Sequence, residues 1–267
     1  MSIKKRLPTA LIILAVVFVC IQFLPAMGYF IVLQVLIAAT LLEFYALHQK
    51  KKLHPQKALG LFLALVVGLS FYIPQFSLGH ALIISLFAVS VFYIFLIKTV
   101  EELVKFPASI AVTYFGVIYI GFTLDHLYIL REQNGPFTIY FLIAVIAFGD
   151  TGAYTIGKLL GKHKMTPLAS PRKTWEGSFG GILFAAIAAA VVQIVLLPDI
   201  LLWKAVVCGV VVHIAAQLSD PVESLFKRAV GVKDSSQLLP GHGGFLDRLD
   251  SFFLAAPLFT YFILYFW

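Results

Sequence analysis

Charge is scarce in this chain. Asp, Glu, Lys and Arg make up 12% of its 267 residues, and hydrophobic residues make up 61%. Soluble globular proteins run nearer a quarter charged and half apolar. A soluble fold of this length has no interior large enough for so much apolar surface, whereas a bilayer is itself apolar. Cysteine is scarcer still: Cys20 and Cys208 each sit inside an apolar run. Two such residues make no disulfide framework and no zinc-ligand spacing. Alternating apolar and polar runs, internal repeats and low-complexity tracts are also missing. Transmembrane β-strands and repeat arrays are therefore set aside.

The chain has long continuous apolar runs instead. A helix needs about 20 apolar residues to cross the hydrocarbon layer. A spanning segment must also satisfy its own backbone hydrogen bonds. The pattern predicts an all-α integral membrane protein with about nine transmembrane helices, near 8–27, 29–48, 58–74, 78–97, 107–130, 137–161, 178–198, 201–225 and 244–267. Lys4, Lys5 and Arg6 before the first run resemble a signal peptide. No small-residue cleavage site follows, so that run is read as the first helix.

The formal net charge is +7, which in a soluble protein would suggest a nucleic-acid partner. Here the cations cluster in loops between apolar runs. All but Arg131 and Lys204 of the 20 Lys and Arg residues fall on the side of the N-terminus. By the positive-inside rule the N-terminus is cytoplasmic, and no nucleic-acid partner is expected. The chain reads as one polytopic domain, 1–267. Its helices through about 105 are mainly structural, and 106–267 carry the chemistry.

An ionisable group inside a membrane helix is costly and marks function by default. Asp150, Asp220, Glu223, Asp247 and Asp250 are such groups. Asp247 and Asp250, at i and i+3, share one helix face, just after Gly243 and Gly244. Glycines there admit a ligand close to the backbone, and the helix N-terminus offers N–H groups to an anion. Two carboxylates beside a phosphate site suit magnesium; a salt bridge to Arg248 is the structural alternative. Gln217, Asp220, Glu223 and Lys227 form one stripe of the eighth helix. Pro221 breaks the backbone ladder there and frees carbonyls. A hydrogen-bonded Asp at a proline kink is the plainer reading.

The loop that follows holds Ser224, Lys227, Arg228, Lys233, Asp234, His242, Gly243 and Gly244, a composition suited to cradling polyphosphate. On the sixth helix Gly149, Ala153, Gly157 and Gly161 make a small-residue stripe for close helix packing. Asp150 and Lys158 lie on the adjacent stripe, able to face a polar cavity. Ser170, Lys173 and Glu176 are further candidates for substrate contact. His213, deeper on the eighth helix, reads as packing. His48, His54, His80 and His126 read as interfacial, and Asp125, Glu132 and Asp199 as outer-end residues.

The run Ser224-x-Phe226-Lys227-Arg228, Lys233-Asp234, then His242-Gly243-Gly244-x-x-Asp247-Arg248-x-Asp250 resembles the signature of the phosphatidate cytidylyltransferases. Asp150-x-x-Ala153-Tyr154 and Ser170-Pro171-x-Lys173-Thr174-x-Glu176-Gly177 match that family too, so the likeness runs from about 145 to the end. Ser219 and Ala169 depart from it, where glycine and a larger aliphatic are usual. The resemblance implies transfer of a cytidylyl group from CTP to phosphatidic acid in the cell membrane, in phospholipid biosynthesis. It implies catalytic Asp220, Asp247, Asp250 and Lys227, with the three aspartates holding Mg2+, one ion or two. Lys227, Arg228 and Lys233 would hold phosphates, with the site facing the cytoplasm and a homodimer kept open. Two alternatives stand beside it: a CTP-dependent lipid-alcohol kinase and an ion or phosphate transporter.

Overall fold

A computed structural model describes residues 3–51, 53–238 and 243–267. The protein is an all-α integral membrane protein. Its helices are α1 Ile3–Phe23, α2 Ala26–Gln49, α3 Lys57–Tyr72, α4 Leu78–Leu96, α5 Val100–Gly116, α6 Thr123–Asn134 and α7 Pro136–Leu160. Strands β1 Lys164–Thr166 and β2 Ser170–Thr174 follow, then α8 Trp175–Leu196, α9 Leu202–Ala229, α10 Leu246–Leu249 and α11 Phe252–Phe266. A π-helical turn, Val117–Phe122, joins α5 to α6, so Val100–Asn134 is one continuous helical rod of 35 residues.

Among the described residues seven helical segments are long and apolar enough to cross a membrane. Two shorter apolar helices, Leu14–Phe23 and Lys57–Tyr72, fall where the first and third expected spans lie. Three local differences from the sequence reading have physical causes. The fifth span starts earlier, because Thr99 and Glu102 form a reciprocal capping box at the start of α5. The polar stretch after α7 is an antiparallel hairpin pairing Lys164 with Thr174 and Thr166 with Ser170. The last span is broken: α10 ends at Leu249 and α11 begins at Phe252.

The chain divides into two compact units, Met1–Tyr128 with Val230–Arg248, and Ile129–Ala229 with Leu249–Trp267. The first is built on α2. Its buried face carries Leu33, Ile37, Leu41, Phe44 and Tyr45, and Tyr45 donates from its hydroxyl to the Thr113 carbonyl at 2.7 Å.

In the second unit α7, α8, α9 and α11 pack together. Here the usual size rule is inverted. The buried side of α8 is small, with Gly177, Gly180, Gly181, Ala185, Ala188 and Ala189. Its exposed side is large, with Phe179, Leu183, Ile187, Val191 and Ile194. Lipid offers large apolar groups a solvent, so helix association rests on close backbone approach instead. Gly149 of the predicted stripe is one such approach: a Cβ there would stand 2.3 Å from Cε1 of the buried His213.

A candidate carboxylate and lysine site

The second unit holds the candidate residues Asp150, Lys173, Asp220, Lys227 and Asp250. α9 carries Asp220, one residue before Pro221. Proline has no N–H, so the carbonyl four residues earlier loses its helical donor. That carbonyl belongs to Gln217, and it accepts from Nζ of Lys173 at 3.4 Å. The same ammonium lies 2.8 Å from Oδ2 of Asp220. Both side chains are about a third exposed or less. Asp150 on α7 lies within electrostatic reach of Lys173 and Asp220. Asp250 feels Asp220, Lys227 and Lys173. Lys173 thus pairs with Asp220, and Asp150 and Asp250 lie within range of its charge.

The surroundings fix this group. Ser224 donates to Oδ1 of Asp220 at 3.3 Å. Ser219 donates its hydroxyl to the Asp250 carbonyl, and the Asp250 carboxylate accepts from Ser251 N at 2.7 Å. Those bonds hold the turn that leads into α11, which gives the departure at Ser219 a local use. Gln217 bonds Ser178 of α8 through both ends of its amide and meets His213 at 2.8 Å. His213 is fully buried, in keeping with the packing role read from sequence. Lys227 pairs with Glu223 at 2.6 Å, and the two side chains are 10% and 1% exposed. Lys227 is therefore part of the site's wall, with its ammonium already matched to a carboxylate.

The hairpin delivers Lys173. Thr174 caps α8 by accepting from Gly177 N at 3.2 Å. Glu176 accepts from the backbone of Lys162 and His163 and pairs with the His163 ring at 2.6 Å. Substrate contact was expected of Glu176; in the structure its carboxylate fastens the hairpin to α8. Ser170 is half-buried at the start of β2. Lys158 and Arg228 are exposed, with Lys158 Nζ 6.0 Å from the Tyr154 ring.

Asp247 belongs to the first unit. Its carboxylate accepts from Ser235 Oγ at 2.8 Å, Ser235 N at 3.0 Å and Gly244 N at 2.9 Å. Gly243 supplies the turn with φ +86°. One expectation is corrected here. The N–H groups at the start of the last helix are taken by the protein's own carboxylates rather than offered to a bound anion: Gly244 N goes to Asp247. Phe245 N and Leu246 N go to Glu43, at 3.1 and 2.9 Å. Lys233, Asp234 and Arg248 are exposed, and His242 lies outside the described residues.

Glu43 is the residue that sequence reasoning missed. It is 5% exposed and also accepts from Ser235 Oγ at 3.0 Å and Ser236 Oγ at 2.7 Å. Its signal was available: it is the one acidic residue in the apolar run of α2.

The donor set around Lys173 is carboxylate oxygen, the hard ligand that magnesium takes. Among the described residues no group of three or more His, Cys, Asp or Glu side chains is placed to hold a metal ion. The place that a cation would take beside Asp220 is filled by an ammonium. Magnesium commonly uses one or two carboxylates and completes its shell with substrate phosphates and water, so Asp220 and Asp250 fit it without a preformed cage.

The chain is thus a helical membrane protein that gathers acidic and basic side chains around Lys173. The chain matches the cytidylyltransferase family over residues 4–266, and it belongs to that family. A Bacillus subtilis protein named phosphatidate cytidylyltransferase is 34% identical to it over 98% of both chains. Proteins of the same name from Staphylococcus saprophyticus and Staphylococcus aureus are 44% and 39% identical over 143 residues. Those matches cover 54% of this chain and 55% of theirs, so the chain spans about half the length of these staphylococcal relatives.

Proposed function

We propose that this protein transfers the cytidylyl group of CTP to phosphatidic acid, giving CDP-diacylglycerol and pyrophosphate. The observation that carries this reading is the end-to-end similarity to the B. subtilis protein of that name. In the reaction a phosphate oxygen of phosphatidic acid attacks the α-phosphorus of CTP. A new P–O bond forms, the bond from that phosphorus to the β-phosphate oxygen breaks, and pyrophosphate leaves with the electron pair.

The nucleophile is already ionised at neutral pH, so the site needs no activated serine or cysteine. The barrier lies in bringing several anions together, which positioned charge lowers. Asp220 and Asp250 would hold Mg2+, with Asp150 adjoining. A bound Mg2+ supplies neutralisation of phosphate charge. Lys173 adds positive charge beside the same carboxylates, and Lys227 stands paired with Glu223 in the wall. Asp247 and Glu43 hold Ser235 and the backbone of Gly244 to Leu246, and the exposed Arg228 and Lys233 would contact polyphosphate.

The protein resides in the bacterial cell membrane with about nine spans, its N-terminus and its site facing the cytoplasm. The bias of Lys and Arg toward one set of loops supports that orientation. The testing experiment supplies purified protein with cytidine-labelled CTP and phosphatidic acid in detergent, with and without Mg2+. Metal-dependent label in extractable lipid is expected. Absence of label, with γ-phosphate label entering a lipid alcohol instead, would replace this reading by the kinase.

A further inference from the structure

Lys173 occupies an unusual place. Its ammonium is held by Oδ2 of Asp220 at 2.8 Å and by the Gln217 carbonyl at 3.4 Å. The second of those acceptors exists because Pro221 withholds the N–H that would otherwise claim it. Asp150 and Asp250 lie within the reach of the same charge. The lysine comes from β2 of a short hairpin rather than from a helix of the bundle. Three carboxylates at one site repel one another unless a cation stands among them, and here the cation is on a tether.

We propose that Lys173 is a displaceable counter-cation, which fills the cation position beside Asp220 until metal and nucleotide arrive together and then moves its ammonium onto a phosphate oxygen. This rests on the magnesium reading of Asp220 and Asp250. Metal alone must break the Lys173–Asp220 pair and leave the ammonium without an anion. Metal arriving with a nucleotide gives the ammonium a phosphate in exchange. Metal and nucleotide binding are then coupled, each tightening the other by the same factor.

The test is a titration of the full chain in detergent with Mn2+, counting free ion by its paramagnetic resonance. It is run without nucleotide and with a CTP analogue carrying a methylene bridge between the α- and β-phosphorus, which cannot react. Lys173→Met is expected to bind Mn2+ alone about fivefold tighter than the natural protein, the upper range for releasing one partly exposed ion pair. It should also lose most of the enhancement that the analogue gives. Lys173→Gln serves if the methionine variant does not fold, and Lys173→Arg should restore the natural behaviour. Asp220→Asn sets the level of binding that bypasses the site. Equal Mn2+ affinity and equal enhancement in Lys173→Met or Lys173→Gln would overturn the counter-cation while leaving the metal site standing. No difference between the natural protein and Asp220→Asn, with or without the analogue, would overturn the metal reading and the inference with it.

Discussion

Removing the carboxylate of Glu43 should release the segment it clamps. Its Oε1 accepts from Ser236 Oγ and Phe245 N, and its Oε2 from Ser235 Oγ and Leu246 N. Glu43→Ala leaves two backbone donors without their acceptor; Leu246 is fully buried and Phe245 half-buried. The hydroxyls can turn to other partners, but the backbone N–H groups cannot. At about 1–3 kcal/mol for each buried unsatisfied group, the local cost is about 2–6 kcal/mol. Glu43→Gln keeps one oxygen and turns an amide toward the other N–H, so its cost is about 1–3 kcal/mol. Trypsin cleavage after the exposed Lys233 reads this opening, since cleavage tracks the population of the open form when reclosing is fast. Every 1.4 kcal/mol is about tenfold. Glu43→Gln should speed cleavage roughly 5- to 150-fold, and Glu43→Ala should exceed it. Equal cleavage in all three proteins would refute the clamp, and so would a faster cut in Glu43→Gln than in Glu43→Ala.

Asp220→Asn and Asp250→Asn should each abolish Mg2+-dependent label transfer while leaving thermal unfolding in detergent nearly unchanged; retained turnover in either removes that residue from the metal. Glu223→Gln takes the countercharge from the buried Lys227, and breaking such a pair costs about 3–5 kcal/mol. At roughly 2–4 °C per kcal/mol for a chain of this size, Tm should fall by roughly 6–20 °C, and an unchanged Tm would show that Lys227 is matched elsewhere. Gly149→Ala should cost about 1–3 kcal/mol through its clash with His213. His213→Ala should recover part of that loss in a double-mutant cycle, and strictly additive losses would place the added methyl elsewhere.

How much of this was legible in the sequence follows the range of each signal. The apolar runs declare themselves residue by residue, so helices appear at all nine expected places. The freed carbonyl at a proline is equally local, and Pro221 announced it. The donor that this carbonyl finds is invisible in sequence, because Lys173 lies 44 residues away. The hairpin was missed for a related reason. A polar stretch of 162–177 has no apolar alternation to mark strands, and pairing of Lys164 with Thr174 depends on its ends being fixed by α7 and α8. Glu43 was passed over because its donors lie near residue 240, some 200 positions on. Asp247 and Asp250 looked alike in spacing, yet Ser235 and Gly244 claim the first, while Ser251 and the charges of α9 and β2 surround the second.

The arrangement around Pro221 joins the membrane problem to the catalytic one. A carboxylate cluster inside a span is expensive wherever it is not matched, and a cluster matched permanently would be useless to a substrate. Glu223 and Lys227 show the permanent solution: an i, i+4 pair on one helix, almost wholly buried. Asp220 and Lys173 show the other solution, one turn away on the same helix. Their pair is partly exposed and comes from two segments, and its second acceptor is a carbonyl that a proline left over. A partly exposed pair is worth about 1 kcal/mol, little enough for a divalent ion with its phosphates to displace. The contrast between the two pairs therefore argues that Lys227 is built into the wall and Lys173 is built to move.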